Sequence, residues 1–166
     1  MTEKQINTPL SNYDLMRGIS RELKERANIV DVREIDKYKT VDELFDNRGH
    51  AILFEPPEDT KSDVGHWTCL LRTKKEGNCI YFDSYGNKLN NSKLRNLLKT
   101  KYPEIQYNPI QLQGYGTSVC GRYALVGACL NKIIPDLNIK KILEFYKNKP
   151  KGITYDEYVS NITGKI

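Results

Sequence analysis

Apolar residues recur at helical spacing in several stretches of the chain. Near the start, Leu15, Ile19 and Leu23 fall at i, i+4 and i+8, which predicts an amphipathic helix capped by Ser11 or Asn12 and ending near Arg26. The same periodicity, with N-cap residues at Thr40, at Asn91 or Ser92, and at Thr154, predicts five further helices. They cover residues 41–45, 92–101, 120–133, 139–146 and 155–162.

Short apolar runs between turn-forming residues predict strands. Residues 51–54 are apolar and are stopped by two prolines, and residues 66–72 and 79–83 form two more runs. The turn-forming residues 74–78 between the last two runs predict an antiparallel hairpin. Residues 105–112 alternate around Pro109 and predict a strand near a sheet edge, while residues 28–35 favour a short strand or an extended segment.

The composition, with 39% hydrophobic and 28% charged residues, is typical of a globular protein. No apolar run reaches the roughly 20 residues that cross a bilayer, and the first residues lack the apolar segment of a signal peptide. Residues 1–166 are therefore expected to form one domain that is neither membrane-bound nor secreted. The four cysteines and two histidines follow no zinc-binding or disulfide spacing, so free thiols and no metal site are expected.

The net charge of +5 is distributed unevenly, because residues 72–101 hold eight basic and only two acidic side chains. A lysine-rich face in contact with solvent explains this excess. A surface that binds a polyanion, above all nucleic acid, is the alternative explanation. On the second interpretation, the DNA-contacting side chains would be Lys93, Arg95, Lys99 and Lys101.

Cys120 follows a glycine-containing loop and begins a predicted apolar helix. A thiol at a helix N-terminus lies among unpaired N–H groups at the positive end of the helix dipole. Both features favour the thiolate, which is the nucleophilic form of cysteine. Cys120 is therefore a candidate nucleophile, although a cysteine at a helix start is also a common packing residue.

A base and an orienting acid are available on the predicted hairpin. His66 begins one strand and Asp83 ends its partner, so an antiparallel pairing brings both to the same edge, within reach of a hydrogen bond. The Cys120 backbone N–H and the Gln113 side-chain amide are candidate donors to an oxyanion. Trp67, next to His66, is either a core residue or a substrate platform.

These residues form four motifs, Gly65-His66-Trp67, Ile80 to Gly86, Leu112-Gln113-Gly114 and Val119-Cys120-Gly121. In this order they resemble the adenovirus protease (adenain) family, part of the wider group that includes the SUMO and ubiquitin-like-protein proteases. The six residues between Gln113 and Cys120 match the adenoviral spacing. The resemblance covers most of the chain and suggests an origin in a virophage or another DNA virus.

The resemblance implies an α+β, papain-type fold in which a central mixed or antiparallel sheet is flanked by helices and the nucleophile begins a buried helix. It implies a thiol endopeptidase with Cys120 as nucleophile, His66 as general base and acid, Asp83 as orienting acid and Gln113 in the oxyanion hole. The expected substrates are viral capsid or core precursors, cut after small glycine-containing motifs during virion maturation. The expected location is the cytoplasm or virus factory of the infected cell, and the virion.

Two departures from the adenoviral pattern affect these expectations. Asp83 stands where the adenoviral enzyme has Glu, whereas the cellular relatives also have Asp at this place. No cysteine lies between Cys79 and Cys120, so a disulfide-linked peptide activator is not expected, whereas DNA or a non-covalent peptide activator stays open. Two alternatives remain: a protease that removes ubiquitin or SUMO-like modifiers from host conjugates, and a catalytically dead, basic nucleic-acid-binding protein.

Overall fold

The structure is a computed structural model that describes residues 10–56, 65–73 and 77–164, apart from the side chains of residues 12 and 13. Five strands form one mixed sheet in the order β1 to β5: β1 (Ile29–Asp31), β2 (His50–Glu55), β3 (His66–Arg72), β4 (Cys79–Phe82) and β5 (Ile105–Tyr107). The β2, β3 and β4 strands are antiparallel, and β1 and β5 join them in parallel. The predicted hairpin is confirmed, although residues 74–76 of its turn lie outside the described residues.

Helices surround this sheet. In the described ranges they are α1 (Asn12–Leu23), a 3-10 helix (Val32–Lys37), α2 (Val41–Phe45), α3 (Ser92–Lys99), α4 (Cys120–Ile133), α5 (Ile139–Lys147) and α6 (Tyr155–Ile162). The predicted caps are confirmed, since Ser11, Thr40, Asn91 and Thr154 each accept a backbone N–H from the first turn of their helix. The architecture is α+β, as predicted.

Side chains alternate between the two faces of the sheet, so each face has its own apolar core. One core packs α1, α4, α5 and α6 against inward-facing residues of the central strands, among them Ile52, Cys69, Leu71, Ile80 and Phe82. The other packs the 3-10 helix, α2 and α3 against Val30, Leu53, Leu70 and Tyr81. The sheet is therefore the middle of three layers, and β3 is its central strand.

Three predicted boundaries were wrong, each for a local reason. The first helix ends at Leu23 instead of near Arg26, because Lys24 adopts the left-handed conformation with φ of 57°. The extended segment predicted over 28–35 is a three-residue strand followed by the 3-10 helix. The last strand stops at Tyr107, because Pro109 has no N–H and the Asn108 side chain accepts the Ile110 N–H instead.

Helix α4 packs closely on β3, and this contact sets the position of its first residue. Ten of its fourteen residues are buried, as expected for a helix that is apolar on all sides. A Cβ at Gly127 would lie 3.0 Å from the Cys69 sulfur, and one at Gly121 would lie 3.3 Å from the Trp67 ring. The two glycines therefore permit the close approach that holds the Cys120 end of the helix against the start of β3.

Candidate active site

The structure brings together three of the predicted site residues at one edge of the sheet. The His66 Nε2 atom donates a hydrogen bond of 2.7 Å to Asp83 Oδ1. His66 and Cys120 line the same pocket, and their interaction helps to raise the pKa of the imidazole. With Nε2 engaged by Asp83, Nδ1 is the nitrogen that remains for the thiol. The order thiol, imidazole, carboxylate is the arrangement needed to activate a nucleophile and fix the tautomer of its base.

The hairpin register explains how His66 and Asp83 meet. Cys69 pairs with Phe82 across β3 and β4, so the residue after Phe82 lies beside the first residues of β3. The Asp83 carboxylate is buried and also accepts the Tyr85 backbone N–H at 3.0 Å. The Asn108 side chain donates to the Asp83 carbonyl at 2.9 Å. These contacts fix the carboxylate in the orientation that faces the imidazole.

The charge of His66 follows from its partners. Burial acts to lower its pKa, but the hydrogen bond to Asp83, the interaction with Cys120 and the negative charge of Asp83 outweigh burial and raise the pKa to about 10. His66 is therefore protonated at neutral pH. An imidazolium beside a sulfur atom stabilises negative charge on that sulfur.

The sulfur of Cys120 lies at the open end of α4. Val119, the N-cap residue, supplies no side-chain hydrogen bond to the first turn, so no side-chain cap takes up the N–H groups at this end of the helix. The Trp67 backbone N–H donates to Cys120 Sγ at 3.4 Å. The site therefore offers hydrogen-bond donors to the sulfur and to an oxygen bound beside it.

Gln113 lies in the same pocket and is almost fully buried. Its Oε1 accepts from Ser84 Oγ at 2.6 Å, and its Nε2 donates to the Thr117 carbonyl at 3.0 Å with a longer contact of 3.4 Å to Thr117 Oγ1. The Thr117 carbonyl, which can only accept, sets which end of the amide is the donor. The Nε2 group is thus positioned on the loop that leads to Cys120.

Sequence reasoning missed the residue that anchors this loop. Asp156, on α6, accepts the Gly114 backbone N–H at 2.9 Å, the Thr117 hydroxyl at 3.2 Å and the Tyr123 hydroxyl at 2.7 Å. Its only sequence signal is an acidic residue in the first turn of a helix, which the helix dipole alone would explain. Asp156 links the loop, α4 and α6, and so holds Gln113 and Cys120 at a fixed separation.

The pocket beside this site has a volume of about 350 Å³. Its lining includes His66, Asp83, Gln113 and Cys120, and also a carboxylate that sequence reasoning did not select, Glu55. A Glu before two prolines at a strand end gives no local signal of a pocket. It reaches the site because β2 pairs with β3, which places Glu55 directly opposite His66.

Trp67 lines the pocket but its side chain belongs to the core. The indole is only 4% exposed, packs against Phe54 at a centroid distance of 5.1 Å and donates Nε1–H to the Leu10 carbonyl at 3.1 Å. Its ring is therefore held by the fold. A role as substrate platform stays a prediction.

The four basic residues predicted to contact nucleic acid lie on or just after α3. Two of them are paired with acidic residues, since Lys93 Nζ lies 2.9 Å from Asp36 and Lys101 Nζ lies 2.9 Å from Asp42. Arg95 donates to the Leu89 carbonyl at 3.3 Å, and Lys99 is exposed. DNA binding stays a prediction, and part of the charge on which it rests is neutralised locally.

Other kinds of site are not seen in the described ranges. Over those residues no three His, Cys, Asp or Glu side chains come together as a group able to hold a metal ion. None of the described helices is long and apolar enough to span a membrane. The four cysteines are free thiols.

No protein family model matches the chain, and no curated protein matches it. Among solved structures, the chain is similar to the C-terminal protease domain of yeast Ulp1 in complex with Smt3, the yeast ortholog of SUMO. The two are 14% identical over 93% of this chain and 76% of that one, with a TM-score of 0.41. It is also similar to the Chlamydia abortus effector protein ChlaDUB, at 14% identity over 95% and 88% of the two chains, with a TM-score of 0.40. At these values the function of neither protein transfers to this chain.

Proposed function

We propose that this protein is a cysteine peptidase with Cys120 as nucleophile. The observation behind the proposal is that a thiol at the start of a helix without a side-chain cap shares a pocket with an imidazole, which is hydrogen-bonded to a buried carboxylate. Each member alone has an ordinary structural explanation. When a thiol, an imidazole and a carboxylate share one pocket in this order, nucleophilic catalysis explains all three together.

The proposed reaction uses each group in turn. The Cys120 thiolate attacks the carbonyl carbon of a peptide bond, and the Cys120 N–H and Gln113 Nε2–H stabilise the resulting oxyanion. Gln113 supplies this second donor by exchanging its 3.4 Å contact with Thr117 Oγ1 for the substrate oxygen. His66 then gives its proton to the leaving amine. Water then gives a proton to His66 and attacks the thioester, which releases the acyl part of the substrate as a carboxylic acid and restores the thiolate beside the imidazolium.

Replacing single members of the site tests this proposal. Cys120→Ala and His66→Ala are expected to lower kcat/KM by at least about 10³-fold, and Gln113→Ala to lower kcat by roughly 10²–10³-fold. Cys129→Ala is the matched control, because Cys129 lies on the same helix outside the pocket. Cleavage by Cys120→Ala at the wild-type rate would refute the assignment.

Two substrate classes expected from the sequence remain proposals. One is the removal of ubiquitin-like modifiers, and the other is the maturation of capsid or core precursors in a virus-infected cell. The Ulp1 domain was solved with a SUMO ortholog, and neither solved structure concerns a virion protein, so modifier conjugates are the first to test. Incubation of the protein with SUMO- and ubiquitin-derived fluorogenic probes, and with candidate capsid proteins followed by mass spectrometry of new termini, separates the two. Activity with any substrate would also exclude the catalytically dead nucleic-acid-binding alternative.

A further inference from the structure

Glu55 is a carboxylate at the wall of the active-site pocket that the proposed reaction does not use. It ends β2, opposite His66 in the strand pairing. Its Oε2 accepts hydrogen bonds of 2.9 Å from Thr68 Oγ1 and from Tyr81 Oη, and Oε1 accepts a second contact of 3.2 Å from Tyr81. The two hydroxyls come from neighbouring strands of a rigid sheet, so the carboxylate has a fixed position.

Both hydroxyl partners of this carboxylate are neutral. The same holds for the buried Asp156, whereas Asp31 and Asp14 contact Arg33 and Arg17. In the described ranges no ion pair includes Glu55. Lys88, which also lines the pocket, holds its ammonium group 5.9 Å from the centre of the Tyr107 ring.

Burial makes this arrangement costly for the protein alone. Burial raises the pKa of Glu55, and the hydrogen bonds from Thr68 and Tyr81 and the positive charge of His66 only partly oppose the rise. A cation bound beside the carboxylate would offset the cost of desolvation, because opposite charges attract most strongly where water is excluded. Glu55 lines the pocket and its side chain is only partly buried, so such a cation can come from a ligand.

We propose that Glu55 forms an acidic subsite that binds the lysine or arginine side chain of a substrate residue close to the cleaved bond. The inference rests on the proposed peptidase function and adds a specificity determinant to it. The carboxylate lies in the same pocket as Cys120 and His66, so a peptide held at Cys120 passes within side-chain reach of Glu55. A purely structural acceptor for Thr68 and Tyr81 would not need a charge.

A peptide library tests this specificity across many sequences at once. The probe is a library made by Glu-specific digestion of a proteome, and mass spectrometry gives the residues around each new terminus. The wild type should show Lys or Arg enriched at one fixed position, with a preference of roughly tenfold over neutral residues. Glu55→Gln, which keeps the oxygen acceptor and removes the charge, should bring this preference close to one. Glu144→Gln, an exposed carboxylate on α5, should keep it.

Cleavage by the wild type without a preference for Lys or Arg would overturn the inference, as would an equal preference in Glu55→Gln. A wild type that cleaves nothing in the library, in the modifier probes or in the capsid proteins would count against the peptidase function itself. A second measurement therefore addresses the subsite alone.

This measurement compares how fast Cys120 reacts with cationic and neutral methanethiosulfonates. The thiolate attacks the reagent's sulfenyl sulfur, forming a disulfide and releasing methanesulfinate, so no substrate is needed. The proteins contain Cys129→Ser, because Cys129 is only half-buried. For each protein, the rate constant with the trimethylammonium-ethyl reagent is divided by the rate constant with the methyl reagent. This ratio should be several-fold higher in the protein with Glu55 than in Glu55→Gln. Equal ratios would overturn the acidic subsite, whatever the library shows.

Discussion

The Asp156 carboxylate accepts the backbone N–H of Gly114 at 2.9 Å, across 42 residues of sequence. The same carboxylate holds the Thr117 and Tyr123 hydroxyls. Asp156→Ala leaves the buried Tyr123 hydroxyl without its acceptor and releases the loop before Cys120. We expect a loss of about 2–3 kcal/mol of unfolding free energy in urea titrations.

The same substitution should lower activity more than stability alone explains. Because the loop carries Gln113, we expect kcat to fall well below the wild-type value at a temperature where the variant is still folded. Asp36→Asn removes an exposed ion pair with Lys93 and should change stability by less than about 0.5 kcal/mol. Unchanged kcat in folded Asp156→Ala would show that the contact is only structural.

The turn after Asp83 depends on a glycine. Gly86 has φ of 82° and donates its N–H to the Asp83 carbonyl at 2.9 Å, and a Cβ there would lie 2.7 Å from the Ile110 carbonyl oxygen. Gly86→Ala should therefore lower the unfolding free energy by about 1–2 kcal/mol, because alanine disfavours the left-handed conformation. The steric clash with Ile110 should lower it further. Urea unfolding measures the total.

Gly152 provides the matched control for this turn. Its φ is 88°, but a Cβ there would meet no atom within 4 Å. Gly152→Ala should show the conformational cost alone, about 1–2 kcal/mol. Equal losses in the two variants would mean that the turn after Asp83 relaxes away from Ile110 without cost.

His66 should make the protein less stable in alkali. Its pKa in the folded protein is about 10, above the ordinary value of 6.5, so the folded state holds the proton more tightly than the unfolded state. This stabilising contribution is complete below pH 6.5 and is lost as the pH rises to about 10. The unfolding free energy of the wild type, measured from pH 6 to 10, should fall toward that of His66→Gln. Parallel curves would contradict the raised pKa.

His50 should make the protein less stable in acid, the opposite pH dependence to that of His66. It is buried, its Nε2 accepts the Asn28 N–H at 3.2 Å, and burial lowers its pKa despite the nearby Glu25. Its contribution is therefore present above pH 6.5 and lost as the pH falls below that value. His50→Gln should flatten the stability profile between pH 6.5 and 5. His66→Gln should leave the fall in unfolding free energy between pH 6.5 and 5 unchanged. If His66→Gln removes this fall and His50→Gln does not, the acid dependence belongs to His66.

The four thiols should differ in reactivity. Burial raises the pKa of Cys69, raises that of Cys79 to about 12 and raises that of Cys129 to about 11, so these three are neutral at pH 7. Iodoacetamide should label Cys120 first, since its sulfur faces an imidazolium, and His66→Ala should slow this labelling. Peptide mass spectrometry over time gives the rates. Labelling of Cys129 as fast as Cys120 would mean that no activated thiolate exists.

Local patterns predicted the elements that carry the three proposed catalytic residues Cys120, His66 and Asp83. The apolar run from His66 to Arg72 and the helix starting at Cys120 have the predicted bounds, because burial on one side of a strand, or on all sides of a helix, leaves a clear signal. The strand predicted to Leu112 was too long, since the Asn108 side chain replaces backbone pairing there.

Residues that act through distant pairing gave no such signal. Glu55 belongs to the pocket only through the register of β2 with β3, and Asp156 only through the docking of α6 on the loop. Both are acidic residues in positions where an acid has an ordinary local explanation. A single sequence contains the residue types but not the pairings that give them a role.

The loop between Tyr107 and Cys120 has no helix or strand of its own, and its shape comes from Ser84, on the turn after β4, and from Asp156, far later in the chain. Contacts between residues so distant in sequence form late during folding, because chain closure must come first. The nucleophile loop can therefore be completed only after α6 has been synthesised and has docked. A nascent chain that stops before Asp156 lacks the acceptor of the Gly114 N–H. We therefore expect the proposed peptidase activity to appear only after this residue has been synthesised.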